Sequence, residues 1–315
     1  MESLQDTKLR LGAVRNVGKI TRAMEVVAAT KMRKAQELAL SSRPYAFKVL
    51  DLLQKLSHEA PVKTSLQEVR PVKKTLVVVV ASDKGLTGSF NAQVLRASDK
   101  FFESESKPEA DGHVFEMVAI GKKAELYAKK KKIKLVKSFF GAGDYAAPED
   151  SSEAADFVMD YFAKGLCDRV VVLSMHFRTA LRQDVILRQV LPAEVLKVKE
   201  TLDEILPERG KYAEATKLSP GGLTAKSAKS ADYIFEPSPA EALNFLIPYL
   251  VKMQFYHLIL EANASEHSAR RVAMKTASDN ADDLAGSLML KYNTARQAGI
   301  TKEIIEITST KNAIG

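Results

Sequence analysis

The sequence is poor in the residues on which many active and metal sites depend. It contains no tryptophan, five histidines and a single cysteine, Cys167. One cysteine excludes an intramolecular disulfide and a cysteine-cluster metal site. The histidines have no spacing typical of a metal site or a catalytic triad; they are His58, His113, His176, His257 and His267. We therefore expect no metal, no cofactor and no catalytic residue in this chain.

Long apolar runs are also missing. No stretch approaches the roughly 20 residues that span a bilayer. The opening residues 1–11, MESLQDTKLRL, lack the apolar core of a secretory signal, and Glu2 and Asp6 argue against an organellar transit peptide. We expect a cytoplasmic chain, whose 315 residues suffice for one large domain or two smaller ones.

The positive charge of the chain is concentrated at its start. The formal net charge is +8, and residues 1–48 hold ten Lys and Arg against four Asp and Glu. Residues 240–315 are balanced, with eight of each sign. A basic first segment fits nucleic acid, an anionic membrane surface or an acidic protein surface.

Residues 3–58 are predicted to form one long helix. Apolar and small residues recur every three or four positions, which is the period of a helical stripe. They are Val14, Val17, Ile20, Met24, Val27 or Ala28, Met32, Ala35 and Ala39. The stretch SRPYA, 42–46, predicts a turn that bends this helix.

The middle of the chain, about 72–236, alternates between strand and helix patterns. This alternation predicts an open α/β sheet with crossover helices. The lysine run from Lys129 is predicted to be a solvated helix end, and residues 195–231, broken by PERG and SPGG, a mobile surface excursion. The predicted strands are Leu76–Ala81, Phe115–Ile120, Val170–Phe177 and Val185–Leu191.

The glycine turn after the first strand, within VVVVASDKGLTGSFN at 77–91, resembles a nucleotide-binding loop only at first sight. A phosphate loop needs G-x-x-x-x-G-K-[ST] and a dinucleotide fingerprint needs G-x-G-x-x-G. Here Gly85 and Gly88 are three apart, and Lys84 precedes both. The spacing favours a tight strand-to-helix turn, with Ser89 or Asn91 near the start of the helix.

A second long helix is predicted from Pro239 to about Thr308. Its 4-3 spacing runs from Leu250 to Met274 and includes polar residues such as His267 and Arg271. Seventy helical residues extend about 100 Å, so this helix needs a coiled-coil partner, and the first helix is available. Small and polar side chains along the seam favour a thin rod enclosed by other subunits.

Several long segments, in the same order, resemble the gamma subunit of F-type ATP synthase, over most of the chain. They are KITRAMEVVAATKMRKAQ (19–36), SRPYA (42–46), SDKGLTGSFN (82–91), YIFEPSP (233–239), EANASEHSARRVAMKTASDNADDL (261–284) and YNTARQAGITKEIIEI (292–307). Within this family, the resemblance implies a long antiparallel coiled coil of the terminal helices plus a central Rossmann-like open α/β domain. The domains are then residues 1–58, 59–236 and 237–315.

The resemblance also implies partners and a location. It implies a rotating shaft inside a hexamer of alpha and beta subunits. The α/β domain would stand as a foot on the membrane c-ring and hold the epsilon subunit. Proton flow would drive rotation, and the nucleotide sites would lie on the hexamer. The chain would be a peripheral protein on the cytoplasmic face of a bacterial inner membrane.

The resemblance places two sets of contact residues. The shaft residues against beta-subunit loops are Met24, Lys31, Arg33, Lys34, Arg296, Gln297, Thr301 and Glu303. Phe235 and Glu236 match positions near the c-ring. Thr310 and Lys311 depart from the Gly-Ala usual in the family. The cysteine pair of some photosynthetic members is absent, so no redox switch is expected.

Three functional hypotheses remain. The first, which the resemblance implies, is a rotor shaft without catalytic activity. The second is a nucleic-acid-binding coiled coil, which is disfavoured because the basic helix lacks interleaved aromatics and a docking motif. The third is a stand-alone α/β enzyme, which is disfavoured by the scattered histidines.

Overall fold

The computed structural model describes residues 4–59, 64–105, 113–143, 148–193, 236 and 238–314. The predicted excursion 195–231 and Phe235 lie outside these residues. The elements in chain order are α1 (Leu4–Glu59), a 3-10 turn (Ser65–Gln67), β1 (Lys74–Val80), α2 (Phe90–Glu105), β2 (Val114–Ile120), α3 (Lys122–Lys131), β3 (Leu135–Phe139), α4 (Pro148–Ala163), β4 (Arg169–Phe177), β5 (Gln183–Leu191) and α5 (Pro239–Ile314).

The chain divides into two compact units. Residues 1–28 and 270–315 form one, which we call the helical unit, and residues 29–269 form the other, the α/β unit. The predicted domain boundaries 1–58, 59–236 and 237–315 stay a prediction.

A five-stranded sheet forms the centre of the α/β unit, with the order β3-β2-β1-β4-β5. The first four strands pair in parallel, and β5 pairs antiparallel with β4. Strand β1 is buried along nearly its whole length, because helices cover both faces of the sheet. The prediction of an open α/β sheet is confirmed.

Two apolar layers flank this sheet. Val77, Val79 and other side chains on one face pack against α2 and α3. Leu76, Val78 and other side chains on the opposite face pack against α4 and the first part of α5. The period of two along each strand sends alternate residues into the two layers.

Strand β3 was not predicted, because lysines interrupt its short sequence. The helix before it ends at Lys131, and Lys132 takes a left-handed conformation with φ of 56°. Lys129 and Lys131 form ion pairs with Glu125 at 2.6 Å and Asp99 at 2.7 Å. The lysine run is therefore a helix end, as predicted.

Among the buried carboxylates of the α/β unit, Glu116 lies on β2. The Glu116 side chain is 1% exposed and lies 2.7 Å from Lys134 Nζ and 3.7 Å from Lys74 Nζ. The Tyr161 hydroxyl also donates a hydrogen bond to it. Burial opposes ionisation, but the hydrogen bonds from Lys134 and Tyr161 outweigh it and lower the pKa of Glu116. The same contact, together with burial, raises the pKa of Tyr161 to about 12.

Helix α1 continues through Ser42–Ala46, so the predicted turn there is wrong. Pro44 removes one backbone donor, yet the helix reaches Glu59. A proline weakens a helix without always ending it.

The terminal helices pair antiparallel in the helical unit through a seam of small residues. Gly18 faces Ala281, whose Cβ would lie 3.4 Å from a Cβ on the glycine. Arg22 forms a 2.6 Å ion pair with Asp282 beside this contact. On α1 the buried positions keep 4-3 spacing; they are Thr7, Leu11, Gly18, Thr21 and Ala28. On α5 they are Met274, Ser278, Ala281 and Leu288.

The predicted stripe on α1 was partly wrong. Val17, Ile20 and Val27 are 52%, 60% and 54% exposed, and Ala28 takes the buried place. Each of these larger apolar residues comes one position before a buried seam residue in the sequence. Its side chain therefore projects about 100° away from that residue around the helix. Close approach of the two helices selects Gly18 and Thr21 instead.

Between residues 293 and 310, α5 carries no buried side chain. From residue 293 to 310 every described residue is exposed, including Ile300, Ile304 and Ile307. Helical stability comes mainly from packing, so this end contributes little to folding of the chain.

Candidate functional site

The turn between β1 and α2 is cross-linked by its own polar side chains. Asn91 Oδ1 accepts a hydrogen bond from the Ser82 amide at 3.0 Å, and Asn91 Nδ2 donates to Thr87 at 2.9 Å. The helix begins at Phe90, close to the predicted Ser89 and Asn91.

Asp83 caps the start of α3 with its carboxylate. Its two carboxylate oxygens accept hydrogen bonds from the backbone N–H groups of Lys122 and Gly141, each at 2.9 Å. Lys122 is the first residue of α3, and N–H groups at a helix start attract phosphates in nucleotide-binding proteins. The carboxylate therefore ties together the loops after β1, β2 and β3, and the turn is a scaffold.

Gly121 allows the same loops to approach closely. Its φ is +92°, and a Cβ placed there would lie 2.0 Å from the carbonyl oxygen of Ala81. Its amide donates to the Phe139 carbonyl at 2.8 Å. The residue must be glycine on both steric and conformational grounds.

The predicted shaft residues on α1 are available at the surface to different degrees. Arg33 and Lys34 are exposed, whereas Met24 and Lys31 are half-buried. Arg33 lies 3.7 Å from Glu37, and both side chains are more than half exposed. Exposed pairs of this kind contribute only about 0–1 kcal/mol, so folding alone does not require the cluster.

The predicted residues on α5 lie on its bare end. Arg296, Gln297, Thr301 and Glu303 are all exposed, and the Thr301 hydroxyl donates to the Gln297 carbonyl at 2.9 Å. Lys302 and Glu306 form a 3.7 Å ion pair on the same stretch. The only predicted foot residue that the structure describes, Glu236, is exposed.

Sequence reasoning missed one surface, an exposed apolar stripe on α1 that leads into the basic cluster. Val17, Ile20 and Val27 continue at 3-4 spacing, through Met24, to Lys31 and Lys34. The spacing of Val17, Ile20 and Val27 indicated a continuous stripe, but we placed these residues in the seam between the two helices. Within the helical unit, Val17, Ile20 and Val27 therefore lie outside the seam and are exposed.

Three of the four histidines with described side chains have separate polar partners. His113 bonds Thr75 at 2.9 Å, His176 lies 3.0 Å from Glu261, and His267 lies 2.9 Å from the Gly143 carbonyl. Across the described ranges, no three His, Cys, Asp or Glu side chains are grouped so as to hold a metal ion. The same part of the chain contains no helix long and apolar enough to cross a membrane.

Cys167 should be almost inert toward thiol reagents in the folded chain. It is 1% exposed, and burial raises its pKa to about 12, from a usual value near 9. This rise in pKa lowers the fraction of Cys167 that is thiolate at pH 8 about a thousandfold. Only the thiolate reacts with alkylating reagents. We expect alkylation by iodoacetamide to be slower by about that factor in the native chain than in the urea-unfolded chain.

The unfolded chain is the matched control for this experiment, since it carries the same cysteine. Equal rates in the two states would show that Cys167 is accessible. A redox effect on activity that disappears in Cys167→Ser would also contradict the prediction that thiol oxidation does not regulate the protein.

Comparison with known proteins assigns the chain to a family. A family model described as ATP synthase matches residues 3–314. The ATP synthase gamma chain of Roseiflexus castenholzii is 38% identical over 317 residues, covering 100% of this chain and 99% of that one. The ATP synthase gamma chain of Moorella thermoacetica is 32% identical, with 100% of both chains covered.

Two solved structures share the fold. One, from the central stalk and c-ring of Tetrahymena thermophila mitochondrial ATP synthase, has a TM-score of 0.57 at 22% identity, covering 82% of this chain and 99% of that one. Another, from the rotor of Euglena gracilis mitochondrial ATP synthase, has a TM-score of 0.59 at 16% identity, covering 94% and 98%. The sequence matches cover this chain and each of the two relatives almost completely, at more than 30% identity. The chain therefore belongs to the ATP synthase gamma chain family.

Proposed function

We propose that this chain is the central rotor shaft of a proton-driven ATP synthase. The observation that carries the proposal is the full-length match to gamma chains, because it includes both terminal helices and the α/β unit. The solved proteins of similar fold are central stalk and rotor parts of ATP synthases. The shaft couples proton flow through a membrane c-ring to ATP synthesis or hydrolysis on an alpha/beta hexamer.

The helical unit supplies the part of the shaft that the hexamer encloses. A seam of small residues keeps the helix pair thin, and the bare end of α5 exposes Ile300, Ile304 and Ile307. Exposed isoleucines cost free energy in water and are covered favourably by a surrounding subunit. Arg296, Gln297, Thr301 and Glu303 lie on this bare end and would meet beta-subunit loops.

The basic cluster on α1 gives a second contact, with an acidic partner surface. Acidic beta-subunit loops would face Lys31, Arg33 and Lys34. Met24, which precedes them on the same helix, would belong to the same contact. Water-screened charges suit a contact that must break and reform during rotation, since each exposed pair contributes only about 0–1 kcal/mol.

The α/β unit forms the foot of the rotor. It would hold the epsilon subunit and stand on the c-ring, with Phe235 and Glu236 near the ring. The chain itself would be non-catalytic, because the turn after β1 lacks the glycine spacing of a phosphate loop and is cross-linked by its own side chains. The protein would be peripheral to the cytoplasmic face of a bacterial inner membrane.

Isolation of the native complex tests this function. A tagged chain should co-purify from detergent-solubilised membranes with alpha, beta and epsilon subunits and the c-ring, and the complex should hydrolyse ATP. The isolated chain should not hydrolyse ATP, and it should not retain duplex DNA at physiological salt. Hydrolysis by the isolated chain would favour the enzyme hypothesis, and salt-resistant DNA binding would favour the nucleic-acid hypothesis.

A further inference from the structure

Part of α5 inside the α/β unit is buried on all sides although half of it is polar. Residues 253–268 are all buried. A helix enclosed in this way is usually apolar around its circumference. Here eight of sixteen residues are polar; they are Gln254, His257, Glu261, Asn263, Ser265, Glu266, His267 and Ser268. Buried polar groups are costly unless they are hydrogen-bonded, so their partners identify their role.

One side of this helix is held by β4, β5 and the turn between them. Glu261 Oε2 lies 3.0 Å from His176 Nδ1 and 3.7 Å from an Arg188 nitrogen. About two turns further on, the Ser268 hydroxyl donates to the Ala180 carbonyl at 2.6 Å.

The other side is held by the loop after β3. Asn263 Nδ2 donates to the Ala142 carbonyl at 2.6 Å, and His267 Nε2 lies 2.9 Å from the Gly143 carbonyl. At about 100° per residue, Ser268 projects within roughly 20° of Glu261, whereas Asn263 and His267 project about 200° and 240° away. The contacts therefore grip opposite sides of the helix.

Bonds on opposite sides oppose rotation of the helix about its axis. Apolar contact is non-directional, so one helix face can slide over an apolar surface at little cost. Hydrogen bonds weaken steeply when their distance or angle changes. Turning this part of α5 in either direction would change the geometry of the bonds on both sides at once.

We propose that Glu261, Asn263, His267 and Ser268, which we name the polar collar, fix the rotational setting of α5 within the α/β unit and carry torque between sheet and helix. The proposal rests on the proposed rotor function. Its members are positioning residues, which act by making the sheet and this part of α5 turn as one body.

Torsional stiffness of the assembled complex tests the polar collar. The alpha/beta hexamer is fixed to a surface, a bead is attached to the α/β unit, and its angular fluctuations are recorded without nucleotide turnover. The test variant is the double change Asn263→Ala and Ser268→Ala, which removes one hydrogen bond from each side and leaves Glu261 in place. We expect the angular variance to rise about twofold, because directional contacts are lost on both sides.

Glu116→Gln is the matched control. Glu116 is a buried, ion-paired carboxylate of the same unit, and it lies on β2, with partners outside α5. It should lower the melting temperature of the isolated chain without raising the variance. Ser268→Ala alone, which removes one hydroxyl, provides a milder variant if the double variant does not assemble.

The outcomes separate the two proposals. An unchanged variance in variants that melt earlier would make the polar collar an ordinary stabilising contact and overturn this inference. Failure of the unmodified chain to assemble with alpha and beta subunits would instead contradict the proposed rotor function.

Discussion

Replacement of Gly121 by alanine should prevent stable folding of the α/β unit. The added Cβ would lie 2.0 Å from the Ala81 carbonyl oxygen and 2.8 Å from its carbonyl carbon, both backbone atoms that cannot rotate away. The φ of +92° adds conformational strain for any side chain. We expect a loss of about 4 kcal/mol or more in the free energy of unfolding, measured by urea denaturation with circular dichroism.

Two other glycines distinguish the steric clash from the backbone strain. Gly141 has a φ of +85° but no atom within 4 Å of the added Cβ, so Gly141→Ala should cost only about 1 kcal/mol of backbone strain. Gly85 has neither constraint, and Gly85→Ala should change stability by less than about 0.5 kcal/mol. A Gly121→Ala chain as stable as Gly85→Ala would mean that the loops after β1 and β2 do not approach as described.

Reversal of Lys31, Arg33 and Lys34 to glutamate should abolish coupled proton pumping while the chain still folds. If each reversal changes the contact with an acidic partner by about 1 kcal/mol, the three together weaken it roughly a hundredfold. Folding should change little, because the Arg33–Glu37 pair is largely exposed. The measurements are thermal melting of the isolated chain and ATP-driven proton pumping by membranes.

A second triple reversal controls for net charge. Lys100, Lys122 and Lys130 are exposed residues of α2 and α3, and their reversal to glutamate alters the charge of the chain by the same amount. Pumping should survive in this control. Normal pumping by the α1 variant would reduce the basic cluster to a solvated helix face, and equal losses in both variants would indicate a general charge effect.

Local sequence patterns were sufficient to predict most of the fold. The valine run of β1 and the apolar runs of β2 and β4 were readable because a strand buried on both faces must be continuously apolar. Strand β3 could not be predicted, because Lys137 interrupts its five residues. The alternation of apolar and polar residues that indicates a half-buried strand is too short there.

The positions that matter most for the candidate site depend on residues distant in sequence. Asp83 is explained by amides 39 and 58 residues away, and no local pattern indicates them. His267 was predicted in the coiled-coil seam, but the structure buries it inside the α/β unit, 2.9 Å from the Gly143 carbonyl, because its partner is distant in sequence. Gly18 and Thr21 were overlooked in the seam because apolar periodicity draws attention to larger neighbours, whereas close approach of two backbones selects small ones.

The one-residue offset between the two stripes of α1 has a consequence for the length of this helix. Deleting a single residue just before Ala28 would turn everything upstream by about 100° and bring Val17 and Ile20 to the places of Gly18 and Thr21. The bulky side chains would then meet Ala281, where even an added Cβ is already in van der Waals contact. A change of seven residues, about two turns, restores the original facing. We therefore expect this stretch of α1 to lengthen or shorten among related chains in steps of seven.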